Sequence, residues 1–315
     1  MLHGISPNCG CAMKIKLLVS CCLILWSLLA SGAETRRLDS SIPLGLDALH
    51  TYQLQIHELQ LVNVPQPELG RTVTSFEVIG TDGKLLFSKA LFPEGGPRIN
   101  KHGFFDDTFS IQAQSLRSGG TGIALLLSWF PAVEAPNSCS NMILLGPDDH
   151  GLQRLSGEFC GTLKFKSEQP TEAEMFTAPS GPYFYLVQKA ESFEILVPVK
   201  IDPATGKARV STDGVCGRGV ECEFPIELYM PARARKRIES VSACTRPKGE
   251  ICQQVRIDSR SKVRFVAAGG IKPPPTLNGN LQDASHDAWL EFEVAGKSWW
   301  THGFENFVKL GLPGT

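Results

Sequence analysis

The chain has 315 residues, of which 42% are hydrophobic and 20% charged, with a formal net charge of −1. That length suits one large domain or two ordinary ones. The balance excludes a disordered polyampholyte, a multi-span membrane protein and a nucleic-acid binder that relies on overall charge.

The first element is an address. Lys14 and Lys16 precede the apolar run from Leu17 to Leu29, and the small residues Ala30-Ser31-Gly32-Ala33 follow. This order predicts a secretory signal peptide over residues 1–33, its apolar run too short for a comfortable membrane span. Met13 is an alternative start to Met1, because the intervening residues add nothing a signal needs. Removing residues 1–33 deletes two lysines and no acid, leaving 29 basic and 32 acidic residues and a net charge of −3.

Residues 34–50 read as a polar leader, and strands follow almost everywhere. Tyr52, Leu54 and Ile56 alternate with polar residues, the period of a half-buried strand. Thr74, Phe76 and Val78 share one face of the next strand, and Asp82-Gly83 marks a hairpin. Gly122 to Phe130 is a continuous apolar run, expected to be a central strand buried on both faces. Strands at 142–145, 162–166, 183–188 and 193–199 come next, with turns at Asp148-Asp149-His150-Gly151 and at 202–206. No long stretch sustains helical periodicity, and no repeat of fixed period is present.

The fold class is therefore all-β. A β-sandwich-like domain is expected at 51–212, a linker with a cysteine loop at 213–223, and a smaller β unit at 224–315. In that unit Pro225 to Met230, Val255 to Ala267 and Ala288 to Val294 read as strands, the last turning through Ala295-Gly296 into Trp299-Trp300.

Six cysteines follow the signal: Cys139, Cys160, Cys216, Cys222, Cys244 and Cys252. An even count in an exported chain predicts disulfides, and pairing of sequence neighbours is the cheapest of the 15 connectivities. A zinc site built from the last four is the alternative, but their spacings of five and seven residues are wider than metal-binding pairs use.

The segment Gly296-Lys297-Ser298-Trp299-Trp300-Thr301-His302-Gly303 resembles the second strand of bacterial SH3-like domains, and the resemblance covers about the last ninety residues. It implies a small SH3-like β-barrel that binds peptidoglycan peptides or proteins and does no catalysis. The family carries Gly where this chain has Trp299, and a loop with Pro273-Pro274-Pro275 enlarges the unit. Strand alternation is then expected to bury Trp300 and turn Trp299 outward. Trp299, Trp289, His302 and Lys272 are the candidate binding residues, beside the loop 271–280.

Other motifs carry weaker chemistry. His57-Glu58 lacks the second His of a metalloprotease helix, and His150 reads as part of a solvated turn. Asp106 and Asp107 would face opposite ways on a strand, which prevents them from acting as an acid–base pair. Arg233, Arg235, Lys236 and Arg237 form a basic run suited to a charged loop or an anionic surface. Ser180-Gly181-Pro182-Tyr183 resembles in miniature the Ser-Gly…Tyr loop of periplasmic lysozyme inhibitors.

These readings converge on an exported protein, periplasmic or extracellular, that binds cell wall or an envelope protein without catalysis. Neither a catalytic residue nor a metal, cofactor or nucleic acid is expected, nor a membrane span in the mature chain. The alternatives are a secreted hydrolase with its site in the large domain and a periplasmic inhibitor of a wall-degrading enzyme.

Overall fold

The computed structural model describes residues 34–312 except 63, 65–69, 93–94, 132–138, 191, 203–204, 213–221, 234–236, 273–275 and 279–287. The fold is all-β. Among the described residues three sheets account for the strands, and there is one short helix, α1 (Phe304–Lys309). No helix there is long and apolar enough to cross a membrane.

The first sheet is an antiparallel meander of β1 (Thr35–Gly45), β2 (Thr51–Leu61), β3 (Arg71–Gly80) and β4 (Leu85–Ala90). The presence of β1 corrects the expectation of an irregular leader at 34–50. Most of its side chains are exposed because it is an edge strand, held by backbone pairing to β2 from Thr35↔Leu61 to Gly45↔Thr51. Such a strand has no apolar alternation to reveal it. In β2, by contrast, Tyr52, Leu54 and Ile56 are buried.

The second sheet begins with β5 (Phe109–Ser118), β6 (Thr121–Pro131), β7 (Asn141–Asp148), β8 (Gly151–Arg154) and β9 (Phe159–Cys160). The next strand, β10 (Thr162–Lys164), joins the third sheet, while β11 (Ser167–Glu168) and β12 (Glu172–Glu174) return to the second, with β12 parallel to β5. The third sheet continues with β13 (Phe176–Ala178), β14 (Gly181–Lys189), β15 (Phe193–Asp202), β16 (Lys207–Val210) and β17 (Cys222–Leu228). It is completed by β18 (Glu239–Cys244), β19 (Cys252–Ile257), β20 (Val263–Ile271), β21 (Trp289–Val294) and β22 (Lys297–Thr301).

The second sheet is the middle layer, and β6 shows why. Leu125, Leu127 and Trp129 join Phe76, Val78 and Phe87 of the first sheet in one core. Their neighbours Ala124 and Leu126 join Phe184, Leu186 and Ile195 of the third sheet in another. A strand packed on both faces must be apolar throughout, which explains the unbroken run. Its single glycine has a separate cause. A Cβ on Gly122 would lie 2.1 Å from the Leu46 carbonyl oxygen, so only glycine lets the β1–β2 connection rest on the middle sheet.

The third sheet is an open path. Its order is β10-β14-β15-β17-β20-β21-β22-β18-β19, with β13 and β16 pairing to the side. The expected small barrel does not close among the described residues. The edge of β17 that a closed ring would need is occupied by β15, through Phe193↔Leu228, Glu194↔Glu227 and Ile195↔Ile226. The expected linker at 213–223 lies almost wholly outside the described residues, and the sheet and its core are continuous on either side of it. Val255 to Ala267, read as one strand, is two. Asp258 accepts the N–H groups of Arg260 at 2.7 Å and Ser261 at 2.8 Å and turns the chain between β19 and β20.

Two disulfides staple the described chain. Cys139–Cys160 ties the segment before β7 to β9, and Cys244–Cys252 closes the β18–β19 hairpin. Cys222 is also disulfide-bonded, whereas Cys216 lies outside the described residues.

Candidate binding face

The hairpin β21–β22 builds the candidate face. Ala295 and Gly296 both have positive φ, 51° and 74°, the geometry of the mirror-image two-residue turn whose twist matches that of the strands. This turn sets the register Phe292↔Trp299 and Glu291↔Trp300. Directly opposed residues of an antiparallel pair share a face. Phe292 is fully buried in the main core, so Trp299 points there too, half-buried and packed against that core.

The expected outward Trp299 is thus corrected: the outward face belongs to Trp300, Glu291 and Trp289. The alternation was legible, but its phase depended on which side of the sheet the larger core occupies. Trp300 is nevertheless only 5% exposed, because it has a small cover of its own. A Cβ on Gly269 would come within 2.5 Å of the Trp300 ring and 3.0 Å of Pro247. Glycine at 269 therefore makes the slot, and the hairpin loop closed by Cys244–Cys252 brings Pro247 over it. Cys244 itself pairs with Trp300, and the Thr301 hydroxyl donates to the Ser242 carbonyl at 2.7 Å.

Beside this slot Trp289 remains half-buried and stacks on His302, with ring centroids 5.5 Å apart and planes 30° from parallel. Gly270 passes against the edge of Trp289 with φ of 72°, a conformation that favours glycine. Along the same face lie carboxylates. Glu291 accepts a hydrogen bond from the Ser298 hydroxyl, and Arg264 makes a two-pronged pair with Glu293 at 2.9 and 2.7 Å. Partial loss of solvent, and then the negative charge of Glu291, raise the Glu223 carboxyl above its ordinary range. The result is an aromatic platform edged by acids. It can stack on a sugar ring or an apolar side chain and accept hydrogen bonds from hydroxyl, amide or amine groups.

Lys272 is exposed directly after β20, next to residues 273–275, which lie outside the described part, as do 279–280 of the same loop. Of that loop, Leu277 is buried. The basic run is dispersed: the Arg233 N–H donates to the Gly311 carbonyl, Arg237 pairs with Glu239 at 2.8 Å, and Arg235 and Lys236 lie outside the described residues. Asp106 and Asp107 are exposed in a loop rather than a strand, beside the buried Phe105. His150 sits in its turn, its N–H donating to Asp148 at 2.8 Å.

One cluster went unnoticed in the sequence. Phe176, Tyr183 and Tyr185 meet with ring centroids 5.1–5.4 Å apart on the face of the third sheet opposite the buried Phe184. Burial first, then the Tyr183 hydroxyl, raises the Tyr185 phenol. The signal was available as two tyrosines flanking Phe184 at period two. No protein family, curated protein or solved structure matches the chain.

Proposed function

We propose that the protein is an exported, non-catalytic binding protein of the bacterial cell envelope, whose Trp289–His302 face holds a cell-wall fragment or an envelope protein. The observation that carries this reading is the half-buried Trp289 stacked on His302 above a rigid support of glycines, disulfide and proline. A large aromatic surface already fixed in place loses little freedom when a ligand covers it. The disulfides are compatible with export. The test is calorimetric titration of the mature protein with purified peptidoglycan fragments. Trp289→Ala should weaken binding by about tenfold or more while leaving the fold intact. Unchanged affinity would remove the platform from the reading.

A second reading, a protein that inhibits a wall-degrading enzyme, draws support from the Phe176–Tyr183–Tyr185 cluster beside the Ser180–Tyr183 turn. Loss of partner binding in Tyr183→Ala but not in Trp289→Ala would favour it.

A further inference from the structure

A cleft of about 480 Å³ lies at the seam between the second and third sheets. It is bounded by the end of β8, by β16 and by the turn 276–278. The seam is fixed by backbone: the Ala208 N–H donates to the Leu155 carbonyl at 2.7 Å, joining the two sheets. The turn is pinned as well, because the Asn278 side-chain amide donates to the Glu158 carbonyl. The cleft is therefore formed before any ligand arrives, and its volume is that of an ordinary small-molecule site.

Its lining divides sharply. The floor is apolar, built from the buried Leu155, Phe159 and Leu277. The rim is cationic, with Arg154, Lys207 and Arg209. Glu158 is the single acid among the described residues of the lining, and Lys89 holds both its oxygens at 2.8 Å. Arg209 is matched by Asp202 at 3.4 Å. Among the described residues no carboxylate pairs with the other two cations. The Arg154 guanidinium lies 5.1 Å from the Phe87 ring centroid, and the Lys207 ammonium donates to the Arg154 carbonyl, which holds it at the rim.

We infer that this cleft is a second binding site, which takes a single-chain amphiphile with an anionic head group. The head, a carboxylate or a phosphate, accepts charge-assisted hydrogen bonds from Arg154 and Lys207. The tail covers the apolar part of the lining that is still exposed above the buried Leu155, Phe159 and Leu277, and removes it from water. A free inorganic anion would leave the floor wet, and a neutral amphiphile would leave two cations unmatched. The site uses none of the residues of the Trp289 face and stands or falls without it.

The test is calorimetric titration of the mature protein with dodecanoate and with dodecyl phosphate, each below its micelle concentration. Inorganic phosphate and neutral dodecyl maltoside serve as controls. At least one of the two anionic amphiphiles should bind at least about tenfold more tightly than either control. The stronger of the two identifies the head group. The double variant R154E/K207E, which alters exposed side chains and should fold normally, should weaken that binding by about tenfold or more. Equal binding of the maltoside would overturn the anionic head, and equal binding of phosphate would overturn the tail. Unchanged affinity in the folded double variant would place the amphiphile elsewhere and overturn the site.

Discussion

The middle strand β6 and the hairpin β21–β22 both carry tryptophan and both bury it, yet by different means. On β6 every side chain from Ala124 to Leu127 is buried, odd residues in one core and even residues in the other. On β22, Trp299 leans on a core of many strands while Trp300 is covered by one glycine slot and one proline-bearing loop. The comparison teaches that burial on a second face can come from a whole sheet or from a single stapled turn. Only the turn leaves room for a partly open aromatic beside it, and Trp289 occupies that place.

Two experiments would break the comparison if the covers were equivalent in kind. Trp300→Ala should cost about 3–5 kcal/mol in thermal or denaturant unfolding, since a large buried ring is removed. The loss should be local: the Trp289–His302 face should loosen first, seen as early hydrogen exchange in β18, β21 and β22. On β6, Leu125→Ala and Leu126→Ala should each cost about 2–5 kcal/mol, although they are adjacent and face different cores. Each should destabilise the molecule as a whole, with no local early exchange. A Leu126→Ala cost close to zero would mean that the second and third sheets barely pack through β6.

How much of this was legible follows from what covers each strand. The apolar run at 122–130 announced its double burial because two sheets demand apolar residues at every position. The alternation at Tyr52, Leu54 and Ile56 announced a single buried face. β1 stayed invisible, since an exposed edge strand is specified by its partner's backbone and not by its own side chains. The phase of Trp299 and Trp300 was unreadable for a related reason. Period two says that the rings diverge, but not which side holds the deeper core, and Gly269 and Pro247 lie 31 and 53 residues away from Trp300 in sequence. Closure failed as an expectation because β15, from the region expected to form the sandwich at 51–212, occupies the edge of β17. The cleft joins β8, β16 and residues 276–278, segments no local pattern connects.

The stapled turn itself offers a smaller effect. Replacing Cys244 and Cys252 by alanine should cost about 2–3 kcal/mol, the chain-entropy value for a short loop. It should also lower the affinity of the Trp289 face, because Pro247 and Lys248 lose their anchored position beside Gly269 and Gly270. Stability lost with affinity unchanged would separate the staple from the face.

The smallest expected effect is electrostatic and tests the acids that edge the face. Glu223 has its carboxyl raised above 4.5, first by partial loss of solvent and then by the charge of Glu291. A raised acid binds its proton more tightly in the folded than in the unfolded state. In the window between its ordinary and its raised value the native state therefore holds more protons than the unfolded chain, and stability falls as pH rises through it. Glu223→Gln removes that titration. The variant should match the parent in unfolding temperature near about pH 4, and become more stable than the parent as pH rises towards about 7. The side chain is exposed, so the gain should not exceed about 0.5 kcal/mol. Glu291→Gln should lessen the pH dependence in the parent background and leave little for Glu223→Gln to add. A stability difference that is constant with pH would mean that Glu223 titrates normally and that the two carboxylates do not sense each other. Hill-like steepening is not expected, because one exposed acid releases one proton. A pH-dependent gain in Glu223→Gln would instead show that Glu223 carries the extra proton of the folded state in that window.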